Sequence, residues 1–239
     1  MKYYLDTEFH EYARTFTEKE IHYGMEINHE KKVNTIELIS IGIVSEDDRE
    51  YYAICNEFDK QIAWENEWLR ENVLKSIWEE LAPVYNPKLY AEGKLNFDLI
   101  SFTILIMKYG KTREQITEEI KAFTINYSES EEEIWDKPKF YGYYADYDWV
   151  VFCWLFGRMI DLPENFPMYC IDLKQISDEK YEAKKASYYG HKKKEAIANG
   201  ANFIEKLSNH PDYPRQVNEH NALADARWNM RLHKFLNKM

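Results

Sequence analysis

Three short stretches rich in β-branched and aromatic residues constrain the fold of this chain most. Tyr3–Phe9, Thr35–Val44 and Arg49–Cys55 each predict a β-strand, and Thr35–Val44 is apolar enough to be buried. Polar residues at positions 45–48 predict a turn between the second and third strands. Strands joined in this way favour an antiparallel meander, so we expect the first three strands to pair with their sequence neighbours.

The rest of the chain predicts helices that alternate with short strands. Candidate strands cover Lys139–Tyr144 and Met168–Ile171. Strands first, followed by mixed strands and helices, favour an α/β fold in one domain spanning residues 1–239. The predicted helices are Trp64–Leu81, Phe97–Met107, Glu114–Phe123, Asp148–Met159, one after Asp172, Ala196–Leu207, and a last one from about Ala222 to Leu236.

The charge balance narrows the functional classes. The 239 residues include 31 Lys plus Arg and 42 Asp plus Glu, which gives a formal net charge of −11. This charge argues against a large basic groove for nucleic acid, although it allows a small acidic site that works through bound metal ions. No apolar run approaches the about 20 residues that span a membrane, so we expect a soluble, cytoplasmic protein without a membrane partner.

Two carboxylates stand close together on the first predicted strand. Asp6 and Glu8 are two positions apart, and alternate side chains of a strand point to the same face. Two negative charges this close repel each other unless a cation holds them, and Mg²⁺ and Mn²⁺ prefer such oxygen ligands. A polar face exposed to water would show the same pattern.

Two further acidic motifs lie at the starts of predicted helices. Asp146 and Asp148 open an apolar helix directly after a strand, and only one of them can be its N-cap, which leaves the other available. His220 and Asp225 form an HxxxxD motif at the entrance to the last helix. Interaction with the helix dipole accounts for Asp225 in the first turn, although it does not account for a histidine at position 220.

Taken in chain order, these motifs resemble the DEDD superfamily of 3′–5′ exonucleases, in its histidine-containing branch. The tyrosine-containing branch would need Tyr at position 221, which is Asn221 here. The segments YYLDTEF, IELISIGIVSEDDREYYAI, YDWVVFCWLFG and HNALADAR look like the ribonuclease AS type, a bacterial 3′–5′ exoribonuclease that prefers adenylate-rich RNA. The resemblance covers residues 1–9, 35–82, 138–176 and 218–236, and the segments near 10–34, 83–135 and 177–217 look like insertions on that pattern.

The resemblance implies a ribonuclease H-like α/β fold, with a central mixed five-stranded sheet that is antiparallel over its first three strands and has helices on both faces. It also implies a two-metal hydrolysis that releases nucleoside 5′-monophosphates from a 3′ end. The metal-binding carboxylates would be Asp6, Glu8, Asp148 and Asp225, holding two Mg²⁺ or Mn²⁺ ions about 4 Å apart. Asp148 matches the family by its spacing to the apolar segment VVFCWLFG, and Asp146 is the reserve candidate. His220 would be the general base that takes a proton from the attacking water.

The expected substrate contacts are less closely tied to the motifs. Phe9 and His10 would line the pocket of the 3′-nucleotide, and Glu37 and Ser40 would read a base edge. A segment rich in Lys and Tyr would guide the phosphate backbone of the RNA or form a solvated loop. The basic and aromatic residues of this segment are Lys184, Lys185, Tyr188, Tyr189, His191, Lys192, Lys193 and Lys194. The resemblance also suggests a homodimer.

Two alternatives stay open at the level of sequence. One is a DNA exonuclease of the same fold, because the catalytic residues do not distinguish the sugar. The other is a module of this fold that binds nucleic acid without cleaving it. The long segment after the first strand contains His10, His22 and His29, whose spacing specifies no zinc site and favours a surface loop.

Overall fold

The computed structural model of the chain describes residues 1–23, 25–124, 137–189 and 206–239. Most of the predicted helix Ala196–Leu207 lies outside the described residues, and so does the part of the basic and aromatic segment from His191 onward. The side chains of Lys184, Tyr188 and Tyr189 are also outside them.

A mixed sheet forms the centre of the described structure. Its strands are β1 (Lys2–His22), β2 (Met25–Ser45), β3 (Glu50–Ile54), β4 (Lys139–Gly142) and β5 (Ile171–Asp172). The order is β3-β2-β1-β4-β5, in which β1, β2 and β3 are antiparallel while β4 and β5 join parallel. The prediction of a mixed five-stranded sheet with three antiparallel strands is confirmed, and the arrangement is consistent with a ribonuclease H-like fold.

Nine α-helices are described outside the gaps of the structure. The predicted helix over Trp64–Leu81 is not continuous, because Asn66 has an extended backbone and its side chain accepts a hydrogen bond from the amide of Leu69. A π-helical turn at Arg70–Leu74 then leads into the next helix. The helices are α1 (Lys60–Glu65), α2 (Glu67–Leu69), α3 (Lys75–Tyr85), α4 (Pro87–Ala91), α5 (Leu99–Tyr109), α6 (Arg113–Thr124), α7 (Asp146–Phe156), α8 (Leu173–Tyr189) and α9 (Ala222–Leu236).

Helices cover both faces of the sheet, as the sequence predicts. The face with Tyr3 and Leu5 packs against α6 and α7, and the face with Tyr4 packs against α8 and α9. Beyond β3, helices α1, α2, α3 and α5 enclose a further apolar cluster around Phe102. Within the described ranges, no helix has both the length and the apolar character needed to cross a membrane.

The prediction of a surface loop after the first strand is wrong. Strands β1 and β2 continue through this segment in antiparallel register, from Tyr3 opposite Ser45 to His22 opposite Met25. We call residues 12–23 and 25–35 the arm. No other strand among the described residues pairs with the arm, because β4 pairs only with residues 2–4 of β1 and β3 only with residues 40–44 of β2.

Candidate active site

Asp6 and Glu8 lie on the face of β1 that α9 covers, next to Asp225 of that helix. Gly42 of β2 stands opposite Asp6, and a Cβ atom at this position would collide with the backbone of Ala222. The glycine therefore allows the first turn of α9 to approach the sheet closely. As a result, one carboxylate oxygen from each of Asp6, Glu8 and Asp225 lies within 4.8 Å of the others.

Asp148 approaches the same place from α7. Its Oδ1 atom accepts hydrogen bonds from the backbone amide of Thr7 at 2.8 Å and from the Thr7 hydroxyl at 2.7 Å. The N-cap of α7 is Ala145, so the alternative in which Asp146 or Asp148 serves as the cap does not apply, and both acids are free of that role. Asp148 is buried while Asp146 is exposed, which makes Asp148 the acid that faces the site.

The electrostatics of the site reflect crowded, desolvated carboxylates. Burial raises the pKa of Asp6 well above its ordinary value, and the charges of Asp148, Glu8 and Asp225 raise it further. Burial and the same neighbours raise the pKa of Glu8 to about 8. Burial raises the pKa of Asp148 to about 6, although its bonds from Thr7 oppose the shift.

A divalent cation fits this donor set. Several carboxylates held together in a partly dry site repel one another, and a bound cation removes that cost by pairing with the charged forms. All the donors are oxygen atoms, which suits Mg²⁺ and Mn²⁺ better than the softer metals that prefer sulfur. The residues Asp6, Glu8 and Asp225 are thus suited to hold such an ion, with Asp148 beside them.

The loop before α9 wraps around Asp225. The backbone amide of His220 donates to one carboxylate oxygen of Asp225 at 3.0 Å, and the Gln216 side chain donates to the other at 2.6 Å. Asn221 caps α9 by accepting a hydrogen bond from Ala224, so Asp225 does not fill the capping position. The HxxxxD spacing therefore corresponds to a closed loop that orients the carboxylate.

The His220 side chain is partly buried next to an aromatic ring. Its backbone has a φ of 65°, a left-handed conformation that is uncommon outside glycine. Its imidazole packs against the indole of Trp68 in α2, edge to face, with ring centroids 4.8 Å apart. The Trp68 side chain is itself 53% exposed, so this contact forms part of the surface next to the acids.

The predicted substrate residues continue along β1 and β2 beyond the acids. Glu8 stands opposite Ser40 and His10 stands opposite Glu37, with a β-bulge between the two pairs. His10 is buried, and its Nδ1 atom has no hydrogen-bond partner in the described part of the chain. Burial lowers the pKa of His10, which favours the neutral imidazole. Phe9 is partly buried, and its ring lies 5.8 Å from that of Tyr147.

Sequence motifs do not identify several residues that contact the acids and the predicted substrate residues. Thr7 lies between the two acids of β1, and its contact with Asp148 follows only from the packing of α7 against the sheet. Gln216 follows a proline-broken segment that has no recognisable motif. Arg14 lies in the segment expected to be a loop, yet its Nη2 atom binds Glu37 at 2.5 Å. Only the extended pairing of β1 and β2 brings Arg14 next to Glu37.

Comparison with known proteins agrees with the motifs. Two curated proteins named 3′-5′ exoribonuclease, from strains CDC 1551 / Oshkosh and ATCC 25618 / H37Rv of Mycobacterium tuberculosis, are each 29% identical to this chain over 180 residues. The matched segment covers 75% of this chain and 76% of each relative. No family model matches the chain. The resemblance to 3′–5′ exonucleases is confirmed by these relatives, while the ribonuclease AS subtype stays a prediction.

Proposed function

We propose that this chain is a metal-dependent 3′–5′ exoribonuclease that releases nucleoside 5′-monophosphates from single-stranded RNA. The observation that carries the proposal is the convergence of Asp6, Glu8 and Asp225 within 4.8 Å, with Asp148 close enough to raise the pKa of Asp6. The names and the extent of the two similar proteins support the same class of hydrolase, an exonuclease that acts on RNA.

The four acids would hold two Mg²⁺ or Mn²⁺ ions. When bound, such ions stabilise the attacking and leaving oxygens of the scissile phosphodiester. The surrounding residues keep the carboxylates in place before any ion arrives. Thr7 holds Asp148 with two hydrogen bonds, and Gln216 together with the His220 amide holds both oxygens of Asp225. A site whose ligands are already oriented loses less entropy when it binds the ion.

His220 would act as the general base of the reaction. Its backbone amide binds Asp225, so the imidazole extends from a loop that is fixed to a metal-binding carboxylate. The packing of Trp68 against the imidazole restricts the orientations of the ring. An imidazole nitrogen held in this way can accept a proton from the attacking water.

The 3′-nucleotide would occupy the continuation of the same face. Among the described residues, the Nδ1 atom of His10 has no hydrogen-bond partner, and it lies at the end of the acidic cluster, where Ser40 and Glu37 stand across from Glu8 and His10. The ring of Phe9 points to the opposite face of β1, next to Tyr147, so its contact with the nucleotide would come from its backbone. A preference for adenylate would rest on these contacts, and that preference follows from the sequence resemblance alone.

Other expectations accompany the proposal. We propose that residues 1–239 form one nuclease domain, in which the segment near 10–34 is an insertion that builds the arm. The segments near 83–135 and 177–217 would be further insertions. A homodimer and a cytoplasmic location stay predictions.

The test of this function compares three labelled substrates: oligoadenylate RNA, RNA of mixed sequence, and single-stranded DNA. Each is incubated with the protein in Mg²⁺ or in chelator. We expect stepwise shortening of both RNA strands in Mg²⁺ and none in chelator. Shortening of DNA alone would replace the proposal with a DNA exonuclease, and binding without shortening of any strand would leave a module that only binds nucleic acid.

A further inference from the structure

The near side of the arm continues the face that holds the acids. Side chains alternate along a strand, and the bulge at Glu8 and Phe9 leaves the extra residue on β2, so the alternation of β1 is unbroken. Asp6, Glu8 and His10 are therefore followed on one face by the near side chains of the arm. Those side chains are Tyr12, Arg14 and Phe16 from β1 and, directly opposite them, Thr35, Val33 and Lys31 from β2.

Contacts between neighbouring side chains support this continuity. The ring of Tyr12 stacks on that of His10, with centroids 4.9 Å apart. Arg14 donates to the Tyr12 hydroxyl at 2.9 Å and also binds Glu37, which stands opposite His10. A row of contacts thus leads from the predicted nucleotide pocket onto the arm.

The two faces of the arm differ in chemistry. The near side of its inner half exposes Phe16 and Val33, together with the cations of Arg14 and Lys31. The opposite side carries mostly polar residues in the same stretch: Ala13, Thr15, Thr17, Glu30, Lys32 and Asn34. Exposed aromatic side chains that alternate with cations are typical of surfaces that bind single-stranded nucleic acid, because bases stack on the rings and phosphates pair with the cations.

We propose that the near side of the arm binds the RNA strand a few nucleotides upstream of the 3′ end that enters the metal site. This inference rests on the proposed function. Lys31 has no ion pair among the described residues. Arg14 binds Tyr12 and Glu37 through the same terminal nitrogen, Nη2, so its other terminal nitrogen is available. Both cations can therefore contact phosphate. Arg14 and Lys31 would attract phosphate only close to the arm, because the protein as a whole has a net charge of −11.

The same face sets an outer limit to the binding surface. Beyond Phe16 it carries Glu18 and Glu20, whose carboxylates repel phosphate. A two-stranded ribbon also twists strongly, so side chains farther out turn away from the metal site. The exposed apolar area of Phe16 and Val33 is small compared with the about 1,000 Å² that a stable protein interface buries, which favours RNA over a second copy of the chain.

The test uses pairs of variants on opposite faces of the arm. Phe16→Ala and Lys31→Glu alter the near side, and Thr17→Ala and Lys32→Glu alter the neighbouring positions on the far side. Binding is measured by fluorescence anisotropy in chelator, with a labelled oligoadenylate of about ten nucleotides. Hydrolysis of the same strand and of a diadenylate is measured in Mg²⁺, and the oligomeric state is measured by sedimentation.

We expect Phe16→Ala to weaken binding of the longer strand about tenfold, because one stacked base is lost. Lys31→Glu should weaken binding and reduce the slope of log affinity against log salt by about 0.7, the value for one phosphate contact on a single strand. The far-side variants should bind like the wild type. Phe16→Ala and Lys31→Glu should slow hydrolysis of the longer strand and leave hydrolysis of the diadenylate unchanged.

Equal binding by all variants would overturn the inference, and so would equal losses on both faces. A change in oligomeric state with unchanged RNA binding would also overturn it, since the occupant would then be a second copy. If the wild type cleaves diadenylate and the arm variants behave like it on the longer strand, only the arm inference fails. If the wild type cleaves no RNA, the proposed function fails, and anisotropy still decides whether the arm binds RNA.

Discussion

The base and the arm of the β1–β2 hairpin are built from the same two strands, yet they lie in opposite environments. At the base, Glu8 is buried beneath α9, and burial together with nearby carboxylates raises its pKa to about 8. In the arm, Glu18 lies on the same face of β1 and is exposed. The strand therefore sets the direction of a side chain, while the covering helices determine its burial and its pKa.

The two regions also differ in what stabilises them. The base is held by packing on both faces and by the bond from Asn229 of α9 to the backbone oxygen of Leu5. The arm depends on pairing of its own two strands and on exposed ion pairs such as Lys19 with Glu26. Isolated two-stranded ribbons are marginally stable, so we expect the arm to tolerate change that the base does not.

The largest effect should come from exchanging one acid in each region. Glu8→Gln removes a metal-binding charge and should lower turnover of oligoadenylate about a thousandfold. Glu18→Gln changes the same residue type on the same face in the arm and should leave turnover within about twofold. Initial rates in Mg²⁺ check both variants, and similar losses in the two would contradict the distinction between base and arm.

A second pair of variants compares histidines. His220→Ala should lower kcat about a hundredfold or more, because the general base is lost, while metal binding measured by calorimetry stays close to that of the wild type. Asp6→Ala should weaken metal binding as well. The control is His29→Ala, since His29 is exposed in the arm and pairs there with Glu20. Wild-type turnover in His220→Ala would refute the assignment of the base.

The third prediction concerns stability in chelator. The pKa of Glu8 is raised in the folded protein, so the folded state binds more protons than the unfolded state between the two pKa values. The free energy of unfolding should therefore fall as the pH rises from about 4.5 to about 8. Denaturant melts across this range check the trend, which Mn²⁺ should reduce. In chelator, Glu8→Gln should make the fall smaller without removing it, because the pKa values of Asp6 and Asp148 are raised as well. A free energy of unfolding that rises with pH over this range would contradict the prediction.

A fourth prediction removes most of the arm. Replacing Thr15–Lys32 with Asn-Gly leaves Arg14 opposite Val33 next to a two-residue turn, and Asn-Gly favours such turns. The melting temperature should change by about 4 °C or less, because the side chains that the structure describes in the removed segment are exposed. Cleavage of diadenylate should persist. Unfolding of this variant would show that the arm supports the base.

The smallest effect should come from Asp146, the exposed acid two positions before Asp148. Asp146→Asn should keep turnover within about twofold of the wild type, whereas Asp148→Asn should lose most of it. Steady-state rates on oligoadenylate distinguish the two variants. A larger loss in Asp146→Asn than in Asp148→Asn would reverse the choice between them.

The same contrast explains how much of the fold could be predicted from the sequence. The buried part of β2, the short β3 and the bounds of α9 follow from apolar patterns, since burial imposes those patterns. The arm could not be predicted, because its strands are polar on one side and mixed on the other, as in many loops. The break at Asn66 depends on a local cap within an otherwise apolar helical pattern.

The candidate site divides in a similar way. The acids were found because Asp6 and Glu8 share a strand face and because His220 and Asp225 have a recognisable spacing. The spacing to the apolar segment VVFCWLFG favours Asp148 over Asp146 already in the sequence, and the packing of α7 gives the physical reason, because it brings Asp148 to Thr7. Trp68 and His220 are far apart in the sequence, and Gln216, which binds Asp225, lies in a segment without a motif. Only the folded structure shows these contacts.

The most direct test of the proposed 3′–5′ hydrolysis of RNA is the identity of its product. Oligoadenylate labelled at its 5′ end is incubated in Mg²⁺ with the wild type and with Asp225→Asn, and the released nucleotides are identified by mass spectrometry. We expect stepwise shortening from the 3′ end with nucleoside 5′-monophosphate as the product, and we expect neither in Asp225→Asn or in chelator. Release of nucleoside 3′-monophosphates, or undiminished activity in Asp225→Asn, would contradict the proposal.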